Sequence, residues 1–237
     1  MTTPAFGRFF LPGPTDVHPD VLAAMQRPMI GHRSSAMEQL LGGLQPSLAA
    51  SPVETDRWRL DFVLTGSQKA LALPPGLALG VASERMMGRA KTLSGRGLYF
   101  DLVSLSEAMA KHQPTNTPAI SLLFALESQL GRIEREGGAE GRWRRHDAMR
   151  RRVEEWSEQR DIAYLPREGR RSWTVSCLRV PEGKGAKQIV GGLKQAGWTI
   201  GSGYGSLKES TIRIGHMGDH TVAALDQLLD LLAGLVA

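Results

Sequence analysis

Lys69 closes the run Leu60-Asp61-Phe62-Val63-Leu64-Thr65-Gly66-Ser67-Gln68-Lys69-Ala70, where an apolar strand opens into a polar turn. An amine at such a boundary is a candidate for partial desolvation, and a deprotonated amine attacks carbonyls to form Schiff bases. The turn from Thr65 to Lys69 also offers hydroxyls, an amide and backbone N–H groups, which suit an anionic substituent of a bound ring. A second candidate is Arg213, in Ile212-Arg213-Ile214-Gly215-His216-Met217-Gly218. Strand alternation turns Ile212 and Ile214 towards a core and Arg213 to the opposite face, where a guanidinium takes a carboxylate through two hydrogen bonds. Each residue also has a plainer reading, Lys69 as a solvated strand end and Arg213 as a surface group on an edge strand. Taken together, an amine and a carboxylate reader point to amino-acid chemistry.

Other patterns carry less. Gly201-Ser202-Gly203-Tyr204-Gly205 lacks the GxGxxG spacing of a phosphate cradle and reads as a flexible turn. His216 and His220 are four apart, but Gly215, Gly218 and Asp219 put them at a strand end and a helix cap, so no metal pair is expected. Ser67 and Lys69 are spaced S-x-K rather than the S-x-x-K of a serine-lysine hydrolase. Cys177, the single cysteine, reads as core.

The elements that must position these residues follow from periodicity and punctuation. Helices are expected near Pro19 to Gln26, started by Asp16 or His18, and over Ser35 to Leu44, with Met37, Leu40, Leu41 and Leu44 at helical spacing. Gln45 to Asp56 has little pattern. After Lys69, Pro74-Pro75-Gly76 makes a turn into a strand over Leu77 to Ala82, with helices over Glu84 to Lys91 and Asp101 to Lys111. Thr117-Pro118 reads as a capped helix start, and Gly137-Gly138 as the break before an arginine-rich helix. Strands at Trp173 to Val180, Trp198 to Ser202 and Thr211 to Gly215, with helices over Ala186 to Ala196 and over His220 to Val236 capped by Asp219, make a C-terminal α+β unit. A division at 1-150 and 151-237 is therefore expected.

With 237 residues, 41% of them hydrophobic, the chain is long enough for a sizeable core. The excess of 29 Lys+Arg over 24 Asp+Glu is concentrated in Arg142 to Arg152. Pairs such as Arg150/Glu154 and Arg151/Glu155 compensate it along a helix, so a solvated helix face is expected rather than a nucleic-acid interface. Phe9-Phe10-Leu11 is cut short by Pro12-Gly13-Pro14, and no apolar run reaches membrane-spanning length. With one cysteine and no intramolecular disulfide, a cytoplasmic location is expected.

Leu11-Pro12-Gly13-Pro14-Thr15, Ile30-Gly31-His32-Arg33, Thr65-Gly66-Ser67-Gln68-Lys69, Asn116-Thr117-Pro118 and Arg213-Ile214-Gly215-His216-Met217-Gly218 occur in the order found in class V pyridoxal-phosphate aminotransferases. The chain resembles the alanine-glyoxylate and serine-pyruvate type in particular. The resemblance implies an α/β fold of type I, a mostly parallel large-domain sheet with helices plus a C-terminal α+β small domain. It implies pyridoxal 5'-phosphate as cofactor, a small amino acid and a 2-oxo acid as substrates, and a homodimer with a shared active site. By the same resemblance Lys69 is the Schiff-base lysine and Gln68 lies beside the ring. Thr117 reaches the cofactor phosphate of the neighbouring subunit, Arg213 clamps the substrate carboxylate, and Gly13 lines the substrate pocket.

One departure bears on mechanism. Between the early helices and the lysine strand, the family carries several strand-helix units, with a ring-stacking aromatic and the aspartate that pairs with the pyridine nitrogen. Here seven residues separate Leu44 from Pro52, and one strand-helix crossover needs about a dozen. Much of the large cofactor domain is thus internally deleted. Asp56 and Asp61 do not sit in the aspartate motif, and no pyridinium partner is assigned. Two readings follow: an aminotransferase impaired by the missing segment, or an inactive homologue serving as a dimerising or interaction module. The deletion should also uncover apolar surface on the Phe62 strand and on the Met37 to Leu44 helix.

Overall fold

The computed structural model describes residues 7–49 and 55–237. The chain divides into two compact units. One takes in the described part of Met1–Val17, Gln68–Ala72 and Glu140–Ala237; the other takes in His18–Ser67 and Leu73–Ala139.

The first unit is built on a four-stranded sheet of order β1-β5-β6-β4, from β1 (Arg8–Phe10), β4 (Val175–Arg179), β5 (Trp198–Ser202) and β6 (Thr211–Gly215). β1 runs parallel to β5, while β5/β6 and β4/β6 are antiparallel. Against it pack α6 (Gly138–Glu158), α7 (Ala186–Gln195) and α8 (Val222–Val236). Each presents an apolar stripe at helical spacing: Met149, Val153 and Trp156 on α6, Ile189 and Leu193 on α7, Leu225, Leu228, Leu229 and Leu232 on α8. Phe10, Ile200, Ile212 and Ile214 meet them from the strands, and Trp156 Nε1 donates to Leu229 O at 3.1 Å. α6 runs unbroken through 150 and 151. Its arginines are engaged: Arg150 pairs with Asp147 and Glu154, Arg152 with Asp226, and Arg151 with Asp147 rather than Glu155.

The second unit holds α1 (Pro19–Ala24), α2 (Ser35–Ala49), α3 (Glu84–Lys91), α4 (Leu102–Met109), α5 (Ile120–Arg135) and the antiparallel pair of β2 (Phe62–Gly66) and β3 (Ala78–Ala82). The structure is α/β with a mixed sheet. The strands on either side of the Lys69 turn pair antiparallel, because Pro74-Pro75-Gly76 returns the chain directly. The deletion is expected between Leu44 and Pro52; there residues 45–49 belong to α2, and 50–51 lie outside the described residues.

Several local expectations change. β1 was not anticipated, because a three-residue strand beside Pro12-Gly13-Pro14 has no period of its own. α2 continues past Leu44 to Ala49 with Pro46 inside it; Leu48 is half-buried there, and Gln45 Nε2 donates to Met109 O at 2.9 Å. α5 begins at Ile120 behind Ala119, without a side-chain cap, so Thr117 and Pro118 precede the helix. α8 is capped by Thr221, whose hydroxyl accepts from Ala224 N, while the Asp219 carboxylate pairs with an arginine. Of the surfaces expected to be uncovered, Phe62, Leu64 and Val81 are exposed, whereas Met37, Leu40, Leu41 and Leu44 are buried, α2 packing against α5. No helix among the described residues is long and apolar enough to cross a membrane.

Two buried histidines make stability depend on pH. His216 Nε2 lies 2.9 Å from Ser176 Oγ, which also accepts from the Tyr164 hydroxyl, while Nδ1 has no hydrogen-bond partner. His220 stacks on Phe10 with ring centroids 4.0 Å apart. Burial lowers both to about 4, with His146 adding to each, Arg150 to His216 and Arg145 to His220, while Asp219 opposes at His220. Below pH 6.5 the unfolded chain takes up protons that the folded chain refuses, so stability falls as pH drops towards 4. The expected loss is on the order of 3 kcal/mol per histidine across that window. Urea melts between pH 7 and 4 check it, and His216→Gln should flatten the slope.

Candidate active site

Lys69 lies three residues beyond β2, in a turn that the first unit holds at several points. Its Nζ donates to Pro12 O at 3.0 Å. Thr15, itself buried, donates from N to Gln68 O at 3.3 Å and from Oγ1 to Lys69 O at 3.4 Å. Ala72 N also donates to Lys69 O, and Ala72 is fully buried at a left-handed φ of 51°. A non-glycine residue there costs on the order of 1 kcal/mol, which the surrounding packing must offset. The Lys69 side chain is exposed, so the desolvation expected at a strand end is not present: the Pro12-Gly13 backbone approaches the amine but does not enclose it.

Gly13 sits against that amine. Its φ of +128° is disfavoured for other residues, and an added Cβ would lie 2.3 Å from Lys69 Nζ. The same loop continues to Arg213. An added Cβ at Gly215 would lie 1.9 Å from Leu11 O, and one at Gly201 would lie 3.3 Å from Arg213 Nη2 and 3.5 Å from Pro12 Cδ. The missing side chains let the loop settle on β5 and β6, with the guanidinium and the amine both beside Pro12.

Arg213 projects from the face of β6 opposite Ile212 and Ile214 and is half-buried. Its Nε donates to Ser202 O at 2.7 Å, and the Tyr204 ring lies 4.9 Å from the guanidinium carbon. One edge and one face are thereby occupied, and among the described residues no carboxylate pairs with it. A guanidinium so oriented can accept a carboxylate on its terminal nitrogens.

Lys69, Gln68, Gly13 and Arg213 therefore belong to one unit, and Thr117 to the other, exposed in the coil before α5. Ser67 is not available as a ligand: fully buried, its Oγ donates to Pro74 O at 2.8 Å and accepts from Leu77 N at 3.2 Å. Asp61 is held by Arg85 at 2.7 Å and by Ser83, and the Arg85 hydrogen bond lowers its pKa; Asp56 is an exposed turn residue. Of the 201–205 segment, Gly201 and Ser202 close β5, Gly203 N donates to Thr211 O at 2.9 Å, and Gly205 opens a short 3-10 turn. Cys177 is half-buried opposite Arg213 in the β4/β6 register rather than in the core; burial raises its thiol pKa. Sequence reasoning missed Pro12 O, Ser202 O and Tyr204, since two act through backbone carbonyls and the third lies in a segment read as flexible.

Gly13→Ala should displace the Lys69 amine and, through the unfavourable φ, destabilise the fold by about 1 kcal/mol or more. Thermal melts and the rate of Lys69 acylation by an amine-reactive reagent check both effects.

No protein-family model matches the chain. It is 32% identical over 182 residues to the L-aspartate–glyoxylate aminotransferase of Paracoccus denitrificans, covering 75% of this chain and 45% of that protein. With the serine–glyoxylate aminotransferase of Arabidopsis thaliana the identity is 32% over 228 residues, covering 93% of this chain and 54% of the relative. The alanine–glyoxylate aminotransferase of Nostoc sp. superposes with a TM-score of 0.89 at 17% identity, the match covering 100% of this chain and 97% of that one. The chain spans about half the length of the curated relatives it matches in sequence. Its ordered motifs, fold and sequence relationships together make it a member of the class V pyridoxal-phosphate-dependent aminotransferase family.

Proposed function

We propose that the chain takes part in amino transfer from a small amino acid such as alanine or serine to a 2-oxo acid such as glyoxylate or pyruvate, with pyridoxal 5'-phosphate as cofactor. The observation that carries this reading is the convergence on the Pro12-Gly13 loop of the Lys69 amine and of an Arg213 guanidinium without a carboxylate partner among the described residues. The residues fit the aldehyde-bearing end of the cofactor, because Gly13 leaves beside Lys69 Nζ the space that a Cβ would fill. When bound, pyridoxal phosphate supplies an aldehyde for an amine and a ring that takes up the electron pair left at the substrate's α-carbon.

The chain's own groups then have distinct tasks. Lys69 Nζ anchors the cofactor and moves the proton lost from the α-carbon. Arg213, oriented by Ser202 O and Tyr204, holds the substrate carboxylate and so aims the α-carbon at that amine. Gln68 borders the ring, and Gly13 keeps the approach to Lys69 open. In a homodimer with a shared site, Thr117 serves the phosphate of the neighbouring subunit; its exposure supports that role. No group is assigned to the ring nitrogen, since Asp61 is already engaged by Arg85.

A second reading, an inactive homologue that works as a dimerising or interaction module, is favoured by the exposed Phe62, Leu64 and Val81. Absorbance titration with pyridoxal phosphate, followed by an assay of amino transfer from alanine or serine, separates the two. The parent chain should develop a visible band that Lys69→Ala abolishes; a band unchanged in that variant would remove Lys69 from the reading. Binding without transfer favours the module. Arg213→Lys should raise KM for the amino acid about tenfold or more, because a single ammonium cannot reproduce the paired donors, while the cofactor band is unchanged.

A further inference from the structure

Arg142 is 5% exposed on α6, inside the segment whose arginines read as a solvated face. Its Nη1 donates to Ala70 O at 2.9 Å, one residue past Lys69. Its Nη2 donates to Asp219 Oδ1 at 2.6 Å, in the loop that leads from β6, the strand of Arg213, into α8. Arg145 donates to Gly218 O at 3.1 Å and to His220 O, and His146 Nε2 lies 3.4 Å from Gly218 O. Three residues of one helix face therefore grip the 218–220 loop, and Arg142 also donates to the lysine turn. The two backbone segments are themselves in close packing: an added Cβ at Gly218 would lie 3.0 Å from Ala72 Cβ and 3.2 Å from Thr15 Oγ1.

We propose that Arg142 is the positioning residue that sets the register of the Lys69 turn against the Asp219 loop, and so the separation between the Lys69 amine and the Arg213 guanidinium. This rests on Lys69 being the cofactor amine. A guanidinium suits the task because its planar fork reaches two acceptors at once, one neutral and one charged, while a lysine has a single nitrogen. The strain at Ala72 gives the register something to hold, because the turn would relax to a more ordinary φ if the Ala70 carbonyl were released. Arg142 acts on the site through the Ala70 carbonyl and the Asp219 carboxylate.

The test is reductive trapping of pyridoxal phosphate on the full chain, with peptide mass analysis to read occupancy at Lys69 against the exposed Lys187. The lysine amine condenses with the aldehyde and expels water, and borohydride delivers hydride to the C=N carbon while the nitrogen takes a proton from solvent. The parent should label Lys69 at lower pyridoxal phosphate than Lys187. Arg142→Lys, with far-UV circular dichroism and a melting transition like the parent's, should need about tenfold more for half-occupancy at Lys69. Asp219→Asn, which retains the acceptor oxygen, should give a smaller shift, and Arg144→Ala, on the exposed side of α6, none. If the folded Arg142→Lys chain labels like the parent, the positioning role is overturned and the cofactor reading stands. Equal labelling of Lys69 and Lys187 in the parent overturns the cofactor reading instead. A loss that follows only the folded fraction of Arg142→Lys and Asp219→Asn makes Arg142 a fold residue and overturns the proposal as well.

Discussion

Backbone laid directly on backbone between the Leu11-Pro12-Gly13 loop and strands β5 and β6 is the constraint on which the site depends. At Gly215 a methyl group would sit 1.9 Å from Leu11 O, so any side chain there would lift the loop away. Gly201 similarly leaves room for Pro12 and for the Arg213 guanidinium. With the loop seated, Pro12 O takes the Lys69 amine, Gly13 leaves that amine open, and Thr15 secures the carbonyls of Gln68 and Lys69. Segments far apart in sequence thus become neighbours through contacts that three glycines permit.

That arrangement is carried by an ordinary apolar core. β6 faces it with Ile212 and Ile214, which obliges Arg213 to face the other way, and α6 faces it with Met149, Val153 and Trp156. Carried towards the N-terminus at the same spacing, the α6 stripe passes through His146 and Arg142, both buried. The helix that closes the core is therefore the helix that reaches the lysine turn, and packing energy is coupled to the geometry of the site. The cost is a set of buried polar groups, each of which must be matched: Arg142 by Asp219 and a carbonyl, His216 by Ser176.

The other unit shows a different balance. α2 and α5 bury Met37, Leu40, Leu41 and Leu44 on one side and Leu122, Leu123 and Phe124 on the other. The β2/β3 pair, in contrast, leaves Phe62, Leu64 and Val81 in solvent. Two strands expose two faces, and a pair alone is marginal without something packed on it. A chain spanning about half the length of its relatives keeps the strand that leads into the lysine turn while exposing much of that strand's apolar surface.

Element types were largely legible, because α3, β3, β5, β6 and α7 have clear periods and clear stops, and their bounds lie close to those expected. The motif residues were legible too, since Lys69 stands out as a charge just past an apolar strand and Arg213 as one within an apolar strand. β1 was not, because three residues carry no period, and neither was Thr221 as the cap of α8, because Asp219 is an equally good cap by type and an arginine claims it. Arg142 belongs to the same class: its phase with Met149 and Trp156 was visible in the sequence, but a run of arginines reads as solvated until a buried partner is known. The sequence by itself determined which residues are able to do chemistry and which strand faces the core, because residue type and alternation are local. Only the tertiary structure decided which charges are used internally, which amine stays exposed and which backbone carbonyls hold them, because those depend on atoms brought together from distant parts of the chain.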